Sequence, residues 1–118
     1  MQYLLLIYTN DSAVTKMSEA ERGQEFAEYI AFSKSIRASG HMKAGDALDP
    51  VKTAKSVRVR DGKTTITDGP FAETKEQLGG YYLIEAKNIE EACMIGAKIP
   101  GAKHGTIEVR PIMLLPAM

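Results

Sequence analysis

Two segments of this chain are apolar at both odd and even positions. They are Tyr3-Leu4-Leu5-Leu6-Ile7-Tyr8 and Tyr81-Tyr82-Leu83-Ile84. A strand sends successive side chains to opposite faces of its sheet, so strands like these have two faces to hide. One layer of helices hides one face. The cover for the other face is the main question the sequence poses.

The helices are legible. Ser18-Glu19-Ala20-Glu21 is a capping box, in which the Ser18 hydroxyl and the Glu21 carboxylate satisfy free amides reciprocally. A helix is expected from there to about Ser39, with Gly40 as its C′ residue. Phe26, Ile30, Ser33 and Ile36 would form its inner stripe, with Tyr29 beside them. Asn88 would cap a second helix over Ile89 to Ile99, stopped by Pro100-Gly101.

The remaining strands follow from alternation and turn chemistry. Asn10-Asp11-Ser12 closes the first strand, and His41 to Leu48 reads as a second. Ser56-Val57-Arg58-Val59-Arg60 alternates, valines inward and arginines outward, and returns through Asp61-Gly62 as Thr64 to Thr67, a hairpin. Thr74-Lys75-Glu76-Gln77 has a second capping-box pattern and predicts one helical turn. Thr106 to Ile112 is the last strand. The order β-α-β-(β-β)-β-α-β, with no linker or repeat, predicts one α+β domain over residues 1–118. It is a ferredoxin-like βαββαβ unit with an inserted β-hairpin.

Two helices on one side leave the other sheet face wet. Exposed apolar area costs about 25 cal/mol per Å² and makes an adhesive patch. A second copy packed face to face would remove it, making a dimeric α+β barrel. The competing arrangement folds the hairpin or the tail from Met113 to Met118 over that face. In the last strand, Glu108 and Arg110 project opposite to Ile107 and Val109, toward the cleft such a dimer would create.

Charge excludes some partners. Fifteen basic and fifteen acidic residues cancel, and no basic stripe suggests nucleic acid or a membrane surface. The first apolar run is too short to span a bilayer and lacks a signal-peptide pattern, so a cytoplasmic location is expected. Cys93 is the single cysteine and reads as a small buried hydrophobe. No H-x-x-x-H or C-x-x-C spacing occurs and no glycine-rich loop precedes a helix, so neither a metal nor another cofactor is expected.

The stretch Asp68-Gly69-Pro70-Phe71-Ala72-Glu73-Thr74-Lys75-Glu76-Gln77-Leu78-Gly79-Gly80-Tyr81-Tyr82 resembles the signature of YCII-related proteins of the DGPF type. Tyr3 to Tyr8, Val57 to Lys63 and His104 to Pro111 agree with it. The resemblance implies a dimeric barrel of ferredoxin-like subunits. It also implies two directions for function. Some members accompany sigma factors of the extracytoplasmic-function kind. Wider relatives include a dehydrochlorinase of a chlorinated hydroxyhydroquinone that uses a His-Asp pair in its cleft. The His position falls near Glu28 or Tyr29 and the Asp position near Ile99, so the pair is not retained in place.

Catalytic candidates are therefore chosen by chemistry. Asp68 either bonds the amides of its own turn or acts as a base. His104, ahead of the Glu108/Arg110 strand, would overhang the cleft as an acid or base. Arg110 would hold an anionic oxygen. Asp46, Glu73, Lys75 and Glu108 are candidates for substrate binding, with Lys75 either holding an anion or neutralising its carboxylate neighbours. His41, just past Gly40, is expected to cap the first helix. Two functions remain open: a cofactor-independent enzyme on a small polar or aromatic metabolite, or a non-catalytic regulatory module that touches a partner such as a sigma factor through Ala72 to Gln77. Fold cannot choose between them.

Overall fold

The computed structural model describes residues 1–10 and 15–116. Among these residues the elements run in the order β1 (Gln2–Thr9), α1 (Glu19–Ala38), β2 (Met42–Ala47), β3 (Lys55–Arg60), β4 (Lys63–Asp68), β5 (Gln77–Glu85), α2 (Ile89–Gly96) and β6 (Thr106–Pro111). Single 3₁₀ turns lie at Val51–Thr53 and Pro100–Lys103. The main sheet has the order β2-β5-β1-β6, antiparallel throughout. Without the hairpin this is the split βαβ arrangement, so the expected α+β, ferredoxin-like architecture is present. Among the described residues no helix is long and apolar enough to cross a membrane.

The central strands behave as their sequences require. Tyr3, Leu5 and Ile7 of β1 and Tyr82 and Ile84 of β5 are buried under the helices, with Phe32 and Ile36 of α1 and Ala92 and Ile95 of α2. The Phe32 and Tyr82 rings meet edge to face, centroids 5.1 Å apart. The opposite parity (Leu4, Leu6, Tyr8, Tyr81 and Leu83) forms the outer sheet face and is only half-buried.

Local signals hold at the ends of α1. Ser18 Oγ accepts from the Glu21 amide and the Glu21 carboxylate accepts from the Ser18 amide, both at 3.1 Å. That contact with Ser18 holds the Glu21 carboxyl below the usual carboxylate range. At the other end Gly40 takes a φ of 82°. The His41 amide donates to the Ile36 carbonyl at 2.9 Å and the Gly40 amide to Arg37, which is a Schellman motif. The capping is thus done by the His41 backbone. Its imidazole instead bridges the Ser39 hydroxyl and Glu91, at 2.6 and 3.3 Å, tying α1 to α2.

Several expectations need correction. Phe26 (68% exposed) and Ile30 (43%) lie outside the core, and Phe32 takes the place assigned to them. The inner side of α1 runs instead through Tyr29, Phe32, Ser33 and Ile36. The second helix stops at Gly96 rather than Ile99, and Ile99 is buried as the lead into the 3₁₀ turn. Cys93 is exposed. Thr74 to Gln77 forms no helical turn: Thr74 Oγ1 donates to the Glu76 carbonyl and Gln77 Nε2 to the Thr74 carbonyl, which closes a compact loop instead.

The hairpin forms, with Asp61 and Gly62 both at positive φ (51° and 75°), as its two-residue turn demands. Its valines do not point into a core, however. β3 and β4 make a separate two-stranded sheet, and Val57, Val59 and Ile66 are all more than half exposed. Alternation specified that the hairpin has an apolar face, not that this chain would cover it. Asp11 and Ser12 of the first expected turn lie outside the described residues.

Candidate active site

Four residues of α1 recur every fourth position: Glu25, Tyr29, Ser33 and Arg37. Residues so spaced lie along one side of a helix. Here that side looks across the β5–β2 half of the sheet and closes a cleft of about 450 Å³. Tyr82 and Gly45 belong to its sheet wall, Phe26 to its rim, and His104 to one end.

Most polar groups in this cleft are held in pairs. Ser33 Oγ and Tyr82 Oη are 2.9 Å apart. Tyr29 Oη accepts the Gly101 amide at 3.1 Å. Burial pushes the Tyr29 phenol up to about 12, so it stays protonated at neutral pH. His104 Nε2 lies 2.6 Å from Glu25 Oε1. One turn further along α1, Glu28 takes Lys103 Nζ at 2.9 Å, and this contact holds the Glu28 carboxyl below its ordinary range. Three successive contacts therefore fasten α1 to the segment from Gly101 to His104.

Backbone geometry sets the position of His104. After the 3₁₀ turn the chain presses against β1, and a Cβ at Gly105 would lie 2.2 Å from the Tyr8 carbonyl oxygen. Only glycine fits there. The constraint places His104, one residue earlier, beside Glu25.

The other sequence-derived candidates are dispersed. Asp46 borders the cleft, with Oδ2 accepting from Tyr81 Oη at 2.7 Å, and this bond raises the Tyr81 phenol above its ordinary value. Asp68 sits at the base of the hairpin, paired with Lys55. Glu73 and Lys75 are exposed in the loop before β5. Glu108 and Arg110 bond each other on the outer sheet face, beside Leu6 and Leu4. The structure thus brings His104 to the cleft on the helix side of the sheet; Asp46 borders that cleft but turns its carboxylate to the outer face with its register partner Tyr81, and Asp68, Glu73, Lys75, Glu108 and Arg110 lie elsewhere. Glu25, Tyr29, Ser33, Arg37 and Tyr82 were missed as site residues. The signal was available: a helix whose inward line is polar at every fourth position is lining something other than a core. Among the described residues no cluster of three His, Cys, Asp or Glu could hold a metal ion.

Comparison with known proteins agrees with this architecture. An uncharacterized protein of Rhizobium meliloti (strain 1021) is 34% identical over 116 residues, covering 97% of this chain and 94% of its own. Among solved structures, the 5-chloro-2-hydroxyhydroquinone dehydrochlorinase of Burkholderia phenoliruptrix AC1100, in complex with 2,5-dihydroxybenzoquinone, superposes with a TM-score of 0.56. It shares 15% identity, over 96% of this chain and 94% of that one, which is a likeness of fold. The family model for the YCII-related domain matches residues 1–116, and the chain belongs to that family.

Proposed function

We propose that the chain is a cofactor-independent enzyme that moves a proton on a small aromatic metabolite bound in the α1 cleft. The observation that carries this reading is the 2.6 Å contact between His104 and Glu25 at one end of a cleft walled by Tyr29, Tyr82 and Phe26. A carboxylate that accepts from Nε2–H fixes the imidazole tautomer and leaves Nδ1 with the lone pair that takes a proton. Aromatic walls favour a flat ring, and paired hydroxyls orient its oxygens. In an elimination, Nδ1 would take the proton from a ring hydroxyl or carbon while the leaving anion departs with its bonding electrons. Wider relatives place a His on the helix and an Asp opposite it. Here the acid stands on the helix, at Glu25, and the histidine opposite, at His104.

The test uses 2,5-dihydroxybenzoquinone, the ligand of the structural neighbour. The chain has five tyrosines and no tryptophan, so tyrosine fluorescence reports on this cleft. Saturable quenching with one site per chain is expected, and Ser33→Phe, which fills the cleft, should remove it. Linear, non-saturating quenching that is unchanged in Ser33→Phe would refute the site.

We further infer that the chain works as a homodimer through its outer sheet face. The radius of gyration is 16.3 Å and the molecule measures 48 × 46 × 18 Å. A compact globule of this length would have a radius near 13.5 Å. Val57, Val59 and Ile66 of the hairpin and Met113 to Leu115 of the tail are exposed, so neither segment buries its apolar side chains over Leu4, Leu6 and Leu83. Sedimentation should give twice the chain mass at micromolar concentration, and Leu6→Glu should give the single-chain mass. A wild-type monomer would overturn the inference.

A further inference from the structure

The cleft is electrically lopsided. At one end the Glu25 carboxylate is met by His104. Asp46 borders the cleft on the strand side, but its carboxylate accepts from Tyr81 on the outer sheet face. Among the described residues Arg37 is the one Lys or Arg that borders the cleft, and it stands three helical steps of four residues from Glu25. That is about 18 Å along the axis at 1.5 Å per residue, before either side chain reaches inward. Every other charged residue at the cleft has a polar partner. For Arg37, no carboxylate lies within ion-pair distance among the described residues. The last turn of a helix is a favourable place for a cation, so its presence there costs nothing. Its direction along the same line as Tyr29 and Ser33 is what the helix dipole does not require.

We propose that the ligand is an aromatic acid whose anionic group is held by Arg37, with the ring between Tyr29 and Tyr82 and the reacting proton at the His104 end. This rests on the reading of the cleft as the active site and names its substrate class. A guanidinium offers a planar fork of donors that matches a carboxylate in two bonds. The far end supplies the opposite preference. Glu25 repels a second anion there, so the ligand enters in one orientation, acid group first toward Arg37. Arg37 is a binding and orienting residue and takes no part in the proton step.

The experiment compares 3-(4-hydroxyphenyl)propanoate with its neutral amide by calorimetry on the full chain, in wild type, Arg37→Gln and Arg37→Lys. Binding of the acid at least tenfold tighter than the amide is expected in wild type. In Arg37→Gln the acid should fall to the level of the amide, with amide binding unchanged. Arg37→Lys should keep part of the preference. Equal binding of acid and amide to wild type, or a preference that survives in Arg37→Gln, would overturn the anion site while leaving the aromatic cleft standing. No binding of either compound would overturn both readings. Far-ultraviolet circular dichroism and melting temperature should not change in either variant, since the Arg37 side chain supports no ion pair among the described residues.

Discussion

His104→Gln should lower turnover by about 10²–10⁴-fold, the usual contribution of one positioned acid–base group. Its melting temperature should stay within a degree or two of wild type. The side chain is one-third exposed and its one ion pair is to Glu25. Surface pairs of this kind contribute little to stability, typically under about 1 kcal/mol. Glutamine keeps a donor toward Glu25 and removes the basic nitrogen, so the substitution separates chemistry from packing. Glu25→Gln should cost less, because it removes the group that orients the imidazole and leaves the imidazole itself. The measurement is steady-state turnover of an aromatic acid substrate, with loss of a ring proton followed by exchange in deuterated water. Turnover in His104→Gln within threefold of wild type would remove His104 from the mechanism.

Gly105→Ala should destabilise the fold by about 3 kcal/mol or more, at the upper end of overpacking substitutions. The added Cβ would stand 2.2 Å from the Tyr8 carbonyl oxygen and 3.1 Å from that of Gly101. Both are backbone atoms, so no side chain can rotate away to make room. β1 is the central partner of β5 and β6, and shifting it disturbs the whole sheet. The alternative response is movement of the Gly101–Gly105 segment away from β1, which would pull His104 from Glu25. Chemical denaturation reads the first response and turnover the second. A variant with wild-type stability and wild-type turnover would mean that the close approach of Gly105 to β1 does not exist in solution. By contrast Gly23, on the outer side of α1, has open space around it, and Gly23→Ala should be neutral or slightly stabilising.

The legible parts of this fold were those decided within a few residues. The Ser18–Glu21 box, the Gly40 terminus and the Asp61-Gly62 turn each act through backbone groups their own segment supplies. The two-faced strands were legible for a similar reason: period-two placement of side chains is a property of the strand alone. Thr74 to Gln77 carried a helix-start pattern, but too few residues followed it before β5 to sustain a helix, and Thr74 and Gln77 turned their side chains onto the loop instead. The hairpin valines show a different limit. Alternation says that Val57 and Val59 share a face, and nothing local says whether another part of the chain reaches it.

For the site the division is sharper. His104 was named from residue type and borders the cleft; Asp46 borders it too, but its carboxylate turns to Tyr81 on the outer face. Glu108 and Arg110 were correctly set opposite Ile107 and Val109, but that face carries a mutual ion pair, while the cleft lies on the helix side. Glu25 meets His104 across 79 residues of sequence, and Tyr29 meets Gly101 across 72.

The amino-acid sequence by itself determined the two helices and six strands, the βαββαβ order with its hairpin, and the presence of two apolar faces on the central strands. These follow from periodicity, capping and turn chemistry, which act over a few neighbouring residues. Only the tertiary structure decided which face of the sheet carries the cleft, where α1 settles across β5 and β2, and which acid stands beside His104. Those depend on contacts between residues far apart in the chain, where packing of Phe32, Tyr82 and Ile99 sets distances that no local pattern encodes.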